Sequence, residues 1–171
     1  MPQPVDPRAP TRRWASVRAL LAFLALPGCV AFLIPLALVG GKPPAAAHSP
    51  IALALWGAGV AALLWCCREF YTVGRGTLAP WDPPTQLVVS GPYRYSRNPM
   101  YLSVLVILIG WAVGYGSVEL LTYTGIVGVL FHGRVVWAEE PWAARTFGEA
   151  WGTYRSETPR WLIRWRRLAG D

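Results

Sequence analysis

The chain has 171 residues, of which 54% are apolar and 15% are charged, whereas soluble proteins carry about 25% charged residues. Its formal net charge is +7. The basic residues are split among segments that flank apolar runs, and no RNA- or DNA-binding motif accompanies them. The composition therefore favours a membrane protein and argues against a nucleic-acid partner.

Four apolar stretches approach the length of about 20 residues that one helical crossing of a bilayer requires. They run from about Val17 to Val39, Ile51 to Cys67, Met100 to Val118 and Leu120 to Trp137. The third and fourth stretches meet at Tyr115-Gly116-Ser117, which predicts a tight hairpin. Because no strand and helix pattern alternates along the chain, a Rossmann domain is not expected. The sequence thus predicts an all-α integral membrane protein with four transmembrane helices.

The first apolar stretch also has features of a secretory signal. Arg12 and Arg13 precede it, and Leu26-Pro27-Gly28-Cys29 resembles a lipoprotein cleavage site. The apolar run continues about ten residues past Cys29, which is longer than an ordinary signal core. A retained membrane anchor is therefore the favoured interpretation, with a cleaved signal as the alternative.

The positions of the basic residues predict the orientation in the membrane. All but one of the 16 basic residues lie in the N-terminal arm, in the loop between the second and third stretches, or in the end of the fourth stretch and the tail. The exception is Lys42, between the first two stretches. Because positive loops stay on the cytoplasmic side, both termini are predicted to be cytoplasmic. The compact chain and short loops favour a bacterial inner membrane.

Cys29, Cys66 and Cys67 lie in predicted spans and lack the spacing of a zinc site. Packing as small apolar side chains is the plain interpretation. Palmitoylation of the Cys66-Cys67 pair is the alternative.

Polar residues gather in two segments, 68–98 and 134–167. The first segment contains Gly91-Pro-Tyr-Arg-Tyr-Ser-Arg-Asn-Pro-Met-Tyr101, which brings phenols, guanidiniums and an amide to the start of the third span. An interfacial belt of aromatic and basic residues would explain this segment alone. The second segment contains an acidic pair that an interfacial belt would not explain.

Glu139 and Glu140 are adjacent where the fourth span is predicted to leave the membrane. Neighbouring carboxylates at an apolar boundary repel each other unless a cation or hydrogen-bond donors neutralise them. One interpretation is a metal site with His132, and another is the binding of a cationic, polar cofactor, which we favour. The third is a structural ion pair with Arg94, Arg97 or Arg160.

The tail continues with Trp161-Leu-Ile-Arg-Trp-Arg-Arg-Leu168. Trp161, Trp165 and Leu168 share one face at helical spacing, which is typical of a short helix in the lipid headgroup region. A helix in this position would close the tail over the loop.

The ordered set of motifs resembles a known family. Gly91 to Tyr101, followed by Glu139-Glu140, Phe147-Gly148, Tyr154 and Pro159-Arg160, is similar to the isoprenylcysteine carboxyl methyltransferase family and its phospholipid methyltransferase relatives. The resemblance extends from about Gly74 to Trp161. It implies a membrane helix bundle whose cytoplasmic loop and C-terminal segment form a pocket for S-adenosylmethionine. The chain would then divide into an N-terminal arm (1–16), transmembrane helices 1 and 2 (17–71) and a methyltransferase core (72–171).

The resemblance also implies the residues of the site. Those expected to bind the cofactor are Thr85, Gln86, Leu87, Val88, Tyr93, Asn98, Pro99, Met100, Tyr101 and Glu139. Glu140 and Arg160 are expected to act in catalysis and substrate positioning, and Arg134 is a further expected substrate contact. The family commonly has Arg-His-Pro where this chain has Arg97-Asn98-Pro99. Asparagine cannot titrate, so no proton transfer is expected at that position.

The resemblance implies transfer of a methyl group from S-adenosylmethionine to a lipophilic or lipid-modified acceptor that arrives through the bilayer. Such a displacement mainly requires that donor and acceptor are positioned and that water is excluded. The accepting group would be a carboxylate, an amine or a thiol. A non-catalytic membrane accessory protein with the same fold is the alternative. A transporter is poorly supported, because the first three spans carry no polar residue at mid-span beyond serine.

Overall fold

The computed structural model describes residues 24–41, 49–74 and 84–161, and this part of the chain is helical without strands. A π-helical segment, Leu24–Leu33, continues into α1 (Ile34–Leu38). The remaining elements are α2 (Pro50–Thr72), a 3-10 turn (Gly91–Arg94), α3 (Pro99–Tyr115), α4 (Val118–Arg134), a π-helical turn (Val135–Glu139) and α5 (Glu140–Glu157).

Helix α2 is long enough to cross a bilayer. Its 23 residues extend about 34 Å at 1.5 Å per residue. Ser49 caps its first turn by accepting from the Ala52 amide, and Pro50 fits the first helical position, where no amide hydrogen is needed. The helix continues five residues beyond the predicted end at Cys67. Arg68 and Glu69 therefore lie on the helix and not in the loop.

Helices α2 and α3 approach each other closely because glycines lie at their contact. A Cβ atom at Gly59 would lie 2.6 Å from Ile107 Cγ1, and one at Gly110 would lie 2.8 Å from Trp56 Cδ1. The adjoining core contains Leu63, Val104, Ile107, Leu108, Val127 and Ala31. Close approach at small residues is typical of helices in membranes, where dispersion contacts replace the hydrophobic effect between helices.

The predicted hairpin at Tyr115-Gly116-Ser117 is confirmed. Helix α3 ends at Tyr115, and Gly116 adopts a left-handed conformation with φ 59°. The Ser117 hydroxyl then accepts from the Leu120 amide at 3.2 Å, which caps α4. The turn leaves α3 and α4 antiparallel.

The helical path does not stop at the predicted end of the fourth span at Trp137. It continues through the π-helical turn into α5, so the helical stretch runs from Val118 to Glu157. Gly148 interrupts this stretch with φ 52° and bends α5. Large apolar side chains on the outer surface, such as Val129 at 73% and Trp137 at 82% exposure, are what a bilayer would cover.

Two of the described helices, Pro50–Thr72 and Val118–Glu157, are long and apolar enough to cross a membrane by length and composition. Pro27–Leu38 and Pro99–Tyr115 are apolar but shorter. Four crossings therefore remain a prediction, as do the orientation of the termini and the three-part division of the chain. The N-terminal arm, the Lys42 connection and the predicted headgroup helix beyond Trp161 lie outside the described residues.

Gly59→Ala tests the close contact of α2 with α3. Its methyl group would lie 2.6 Å from Ile107 Cγ1 and 3.0 Å from the Ser103 carbonyl oxygen. We expect the free energy of unfolding in detergent to fall by about 1–3 kcal/mol, as is typical of overpacking. Gly57→Ala is the matched control on the same helix, since a Cβ atom there meets nothing within 4 Å. Equal losses in both variants would contradict this account of the packing.

Candidate functional site

The two polar segments of the sequence meet in the structure. The loop segment (84–98) contacts the tail segment (158–161) through backbone and side chains. The Arg97 amide donates to the Pro159 carbonyl at 2.9 Å. The Ser96 hydroxyl and Asn98 Nδ2 both donate to the Arg160 carbonyl, each at 3.1 Å. Residues more than 60 positions apart in the chain are thus joined at one end of the helices.

Glycine and proline set the local path of the loop segment. Gly91 has φ 55°, a conformation that L side chains rarely adopt, and it opens the 3-10 turn. Pro92 follows within that turn, and Pro99 begins α3. Because proline fixes φ near the helical value, both turns start at defined residues. Tyr93 is thereby buried, with 6% exposure.

Glu140 lies at the centre of a buried charge cluster. Arg160 donates to it twice, from Nε to Oε1 and from Nη2 to Oε2, each at 2.8 Å. Arg97 Nη1 lies 3.0 Å from the same Oε1. Hydrogen bonding to Glu140 raises the pKa of the Arg160 guanidinium, whereas burial lowers that of Arg97 although Glu140 opposes this effect. The ion-pair interpretation of Glu140 is therefore confirmed, with Arg97 and Arg160 as the partners.

Glu139 belongs to a second, more exposed cluster. The Tyr101 hydroxyl donates to its Oε1 atom, and Arg134 Nε donates to the same atom at 2.7 Å. Arg134 Nε also lies 3.1 Å from the Tyr101 hydroxyl oxygen. Arg134 is half-exposed. The predicted substrate contact Arg134 is thus paired with two residues that were predicted to bind the cofactor.

The Tyr101 ring lies among other aromatic rings. Its centroid is 4.4 Å from that of Phe131 and 6.5 Å from that of Trp161. Trp161 Nε1 in turn donates to His132 Nδ1 at 3.1 Å. His132 is therefore held by the tail segment. In residues 24–41, 49–74 and 84–161, no three His, Cys, Asp or Glu side chains lie close enough together to hold a metal ion.

The other predicted cofactor residues occupy different surroundings. Val88 is buried beside Tyr93 and Cys66, with Met100 against them, and Leu87 packs against Trp151 and Tyr154. Pro99 is buried at the start of α3. Thr85 and Gln86 are exposed, and their amides donate to the Gly74 carbonyl. No hydrogen bond joins Thr85 or Gln86 to Tyr101 or Glu139, so these ten residues do not form one contiguous set through such bonds.

Several buried donors in this region lack a partner among the described residues. They are Arg97 Nε, Trp151 Nε1 and the Tyr93 hydroxyl, which lies near the Cys66 thiol without a well-aligned hydrogen bond. The Arg97 guanidinium lies 5.6 Å from the centre of the Trp151 ring. The Tyr154 hydroxyl donates to the Tyr93 carbonyl at 2.7 Å. Since the Tyr154 ring also contacts Trp151, it connects Tyr93 to Trp151. Buried donors are normally satisfied by protein atoms, ordered water or a ligand. These groups are therefore available to a polar ligand with acceptor atoms.

The family model for phospholipid methyltransferases matches residues 49–150, more than half of the chain. The chain belongs to the phospholipid methyltransferase family. The match includes α2, the 3-10 turn, α3, α4 and both glutamates. Membership supports a methyltransferase activity, and together with the two long apolar helices it indicates a membrane protein. The narrower likeness to isoprenylcysteine carboxyl methyltransferases stays a prediction.

Over 101 residues the chain is 29% identical to the nickel-cobalt-cadmium resistance protein NccN of Alcaligenes xylosoxydans xylosoxydans. The aligned region covers 59% of this chain and 43% of NccN. The chain thus spans less than half the length of that relative. No solved structure matches the chain.

Two residues that contact the loop segment were not singled out from the sequence. Glu69 is buried on α2 and accepts from the Ser90 hydroxyl, and Trp151 lies below Arg97. The sequence offers a signal for Trp151, since it lies three residues before Tyr154 and so shares its helical face. Glu69 offers none, because it follows Arg68 at the predicted membrane boundary, where charges are ordinary.

Glu140→Gln and Glu139→Gln, applied one at a time, test the difference between the two clusters. Glu140→Gln removes the charge that neutralises Arg97 and Arg160, and we expect a loss of about 2–3 kcal/mol in the free energy of unfolding. This lies below the 3–5 kcal/mol typical of a broken buried pair because Arg160 is 29% exposed. Glu139→Gln should cost about 0–1 kcal/mol, as for exposed pairs. Detergent-based unfolding titrations measure both values, and equal losses would refute the assignment.

Proposed function

We propose that this protein transfers a methyl group from S-adenosylmethionine to a lipophilic acceptor delivered by the membrane. The observation that carries the proposal is a pair of buried donor atoms without an acceptor among the described residues, Arg97 Nε and Trp151 Nε1. They lie near the buried Tyr93, where the loop and tail segments meet. The family supplies the reaction class. The proposal adds the cofactor, the acceptor class and the residues.

The donor set fits S-adenosylmethionine chemically. The cofactor carries a carboxylate, ribose hydroxyls and adenine nitrogens as acceptors, which match the buried N–H and O–H groups. When bound, it supplies a methyl group already activated by a sulfonium. Burial raises the pKa of Tyr93 well above its ordinary value, so its hydroxyl keeps its proton and acts as a donor.

The second cluster suits a cationic centre. Tyr101 is surrounded by Phe131 and Trp161, and aromatic faces attract cations by roughly 0.5–2 kcal/mol. The Glu139 carboxylate accepts from the Tyr101 hydroxyl and is only partly neutralised by the half-exposed Arg134. In our proposal Tyr101 and Glu139 orient the cofactor, and Arg134 holds Glu139 in place.

Glu140 and Arg160 act by position in this proposal. Their two hydrogen bonds hold the tail segment over the loop, which excludes water from the space where methyl transfer would occur. A carboxylate that faces two guanidiniums is a poor proton acceptor, so solvent is the better sink when the acceptor is an amine or a thiol. A carboxylate acceptor needs no base. Arg160 is partly exposed and is positioned to contact an anionic acceptor.

A non-catalytic accessory role is the second candidate. It is favoured by the bond of Asn98 to the Arg160 carbonyl and by the complete pairing of Glu140, since both are structural uses of motif residues. The relative NccN is named as a nickel-cobalt-cadmium resistance protein, and an accessory role in metal resistance is compatible with this alternative. The two candidates differ in whether the cofactor binds.

Binding of S-adenosylmethionine and S-adenosylhomocysteine, measured by calorimetry on detergent-purified protein, tests the proposal. We expect micromolar dissociation constants, weakened about tenfold or more in Tyr101→Phe and Glu139→Gln, because each loses a charged hydrogen bond. Tyr123→Phe is the matched control, since its hydroxyl donates to the Val30 carbonyl away from the site. Folded, monodisperse wild-type protein that binds neither compound would overturn the enzyme proposal.

The acceptor class is tested with S-adenosylmethionine labelled in its methyl group and membranes from the source cell. We expect label in material that organic solvent extracts, and at least a tenfold loss of transfer in Arg160→Ala, because the tail segment loses both of its bonds to Glu140. Scintillation counting of the organic and aqueous phases measures this. Label found only in water-soluble product would contradict a lipophilic acceptor.

A further inference from the structure

Glu69 is a buried carboxylate on the last turns of α2, with 6% exposure. Burying a charge is costly unless partners compensate for the lost hydration. Its partners are the Ser90 hydroxyl, which donates to Oε2, and Arg68 Nη1 at 3.1 Å from Oε1. Arg68 is 70% exposed, whereas Ser90, at the start of the 3-10 turn, is only partly exposed. Ser90 is therefore the partner better shielded from solvent.

The backbone beside Ser90 lies directly on this carboxylate. A Cβ atom at Gly91 would lie 2.9 Å from Glu69 Cγ and 3.0 Å from Trp65 Nε1. Gly91 thus allows the turn to rest on α2 without a side chain between them. Glu69 thus contacts the turn at Gly91 and accepts a hydrogen bond from the Ser90 hydroxyl at the start of the turn.

Tyr93 lies two residues after Gly91 in the same turn, so its position depends on how the turn packs against α2. Its ring lies against Phe70 at 5.4 Å between centroids, one residue beyond Glu69 on the same helix. Its carbonyl accepts from Tyr154 at 2.7 Å. A shift of the turn relative to α2 would therefore move the Tyr93 hydroxyl and its contact with α5 together.

We propose that Glu69 is a positioning residue that holds the Ser90–Arg94 turn on α2 and so places Tyr93 for cofactor binding. The link to the cofactor rests on the proposed function. The packing of the turn on α2 through Glu69 does not depend on that function. Glu69 touches neither of the glutamate clusters described above and acts through Ser90.

The first measurement is binding of S-adenosylhomocysteine by calorimetry to wild type, Glu69→Ala, Glu69→Gln, Ser90→Ala and the Glu69→Ala/Ser90→Ala double variant. We expect each single alanine variant to bind about tenfold more weakly, because a smaller fraction of the protein has the turn in the conformation that binds the cofactor. The double variant should be no weaker than either single variant, because the two residues act through one bond. Glu69→Gln keeps an acceptor oxygen for Ser90 and should recover most of the affinity.

The matched control is Glu119→Gln. Glu119 also accepts from a serine hydroxyl, that of Ser117 at 2.6 Å, but at the hairpin at the other end of α3 and α4. Its affinity for S-adenosylhomocysteine should equal that of wild type. Lower unfolding midpoints with unchanged affinity in the Glu69 and Ser90 alanine variants would overturn the proposal, because that pattern describes a residue that only stabilises the fold.

Amide hydrogen exchange provides a measurement that needs no ligand. The amides of Tyr93 and Tyr95 donate to the Ser90 and Pro92 carbonyls within the turn. In Glu69→Ala they should exchange about tenfold faster, since local opening sets exchange rates, while the Leu121 amide at the hairpin stays unchanged. If the Tyr93 and Tyr95 amides exchange at the wild-type rate in Glu69→Ala, Glu69 does not hold the turn on α2. Wild-type protein that binds no cofactor would refute the proposed function, and the exchange result would still decide the role of Glu69.

Discussion

The Glu140 carboxylate holds together the loop before α3 and the tail after α5, and the geometry of the site depends on it. Arg160 brings the tail and Arg97 brings the loop to the same oxygen, Oε1. Two guanidiniums around one carboxylate leave excess positive charge in a buried place, which is unfavourable without further partners. The hydrogen bond from the Arg97 amide to the Pro159 carbonyl also joins the two segments, and it does so independently of charge. Arg97 Nε has no acceptor among the described residues.

Two adjacent glutamates can serve separate clusters because of the helical turn that leads to them. Successive residues of a helix point about 100° apart, so Glu139 and Glu140 face different sides. The π-helical turn Val135–Glu139 lies immediately before Glu140, and such turns are frequent at functional sites. Glu139 thereby faces Tyr101 on α3, and Glu140 faces the loop and the tail. The repulsion expected of the pair is relieved by three arginines, Arg97, Arg134 and Arg160.

Local signals in the sequence predicted local structure well. The hairpin at Gly116 follows from one glycine in a left-handed conformation and one serine cap, both of which act within a few residues. The approximate bounds of α2 and α3 follow from apolar content. The end of α2 was placed five residues too early, because hydropathy stops at the first charge whereas the helix continues until its carbonyls find other partners. Glu69 lies in these five residues, within the segment 68–98 that was predicted to be a loop.

Contacts between distant segments were less predictable from residue types alone. The ion-pair interpretation named Arg94, Arg97 and Arg160 as equal partners, and only packing distinguishes them, since Arg94 is exposed while the Arg97 side chain is 91% buried. The family resemblance placed Tyr101 and Glu139 in one site, and the structure joins them by a hydrogen bond. Their role toward a cofactor stays a prediction. Thr85 and Gln86 were assigned by resemblance alone, and their exposed position gives that assignment no physical support beyond it.

The asparagine at position 98 constrains the chemistry that this site can perform. Its side chain donates to the Arg160 carbonyl, as the Ser96 hydroxyl also does, so the position requires a donor. A histidine at this position could donate from a ring nitrogen in the same way. In this chain, the observed role of position 98 is donation to the tail segment. In the proposed reaction, an acceptor that is already ionised, such as a carboxylate, needs no proton acceptor at this position.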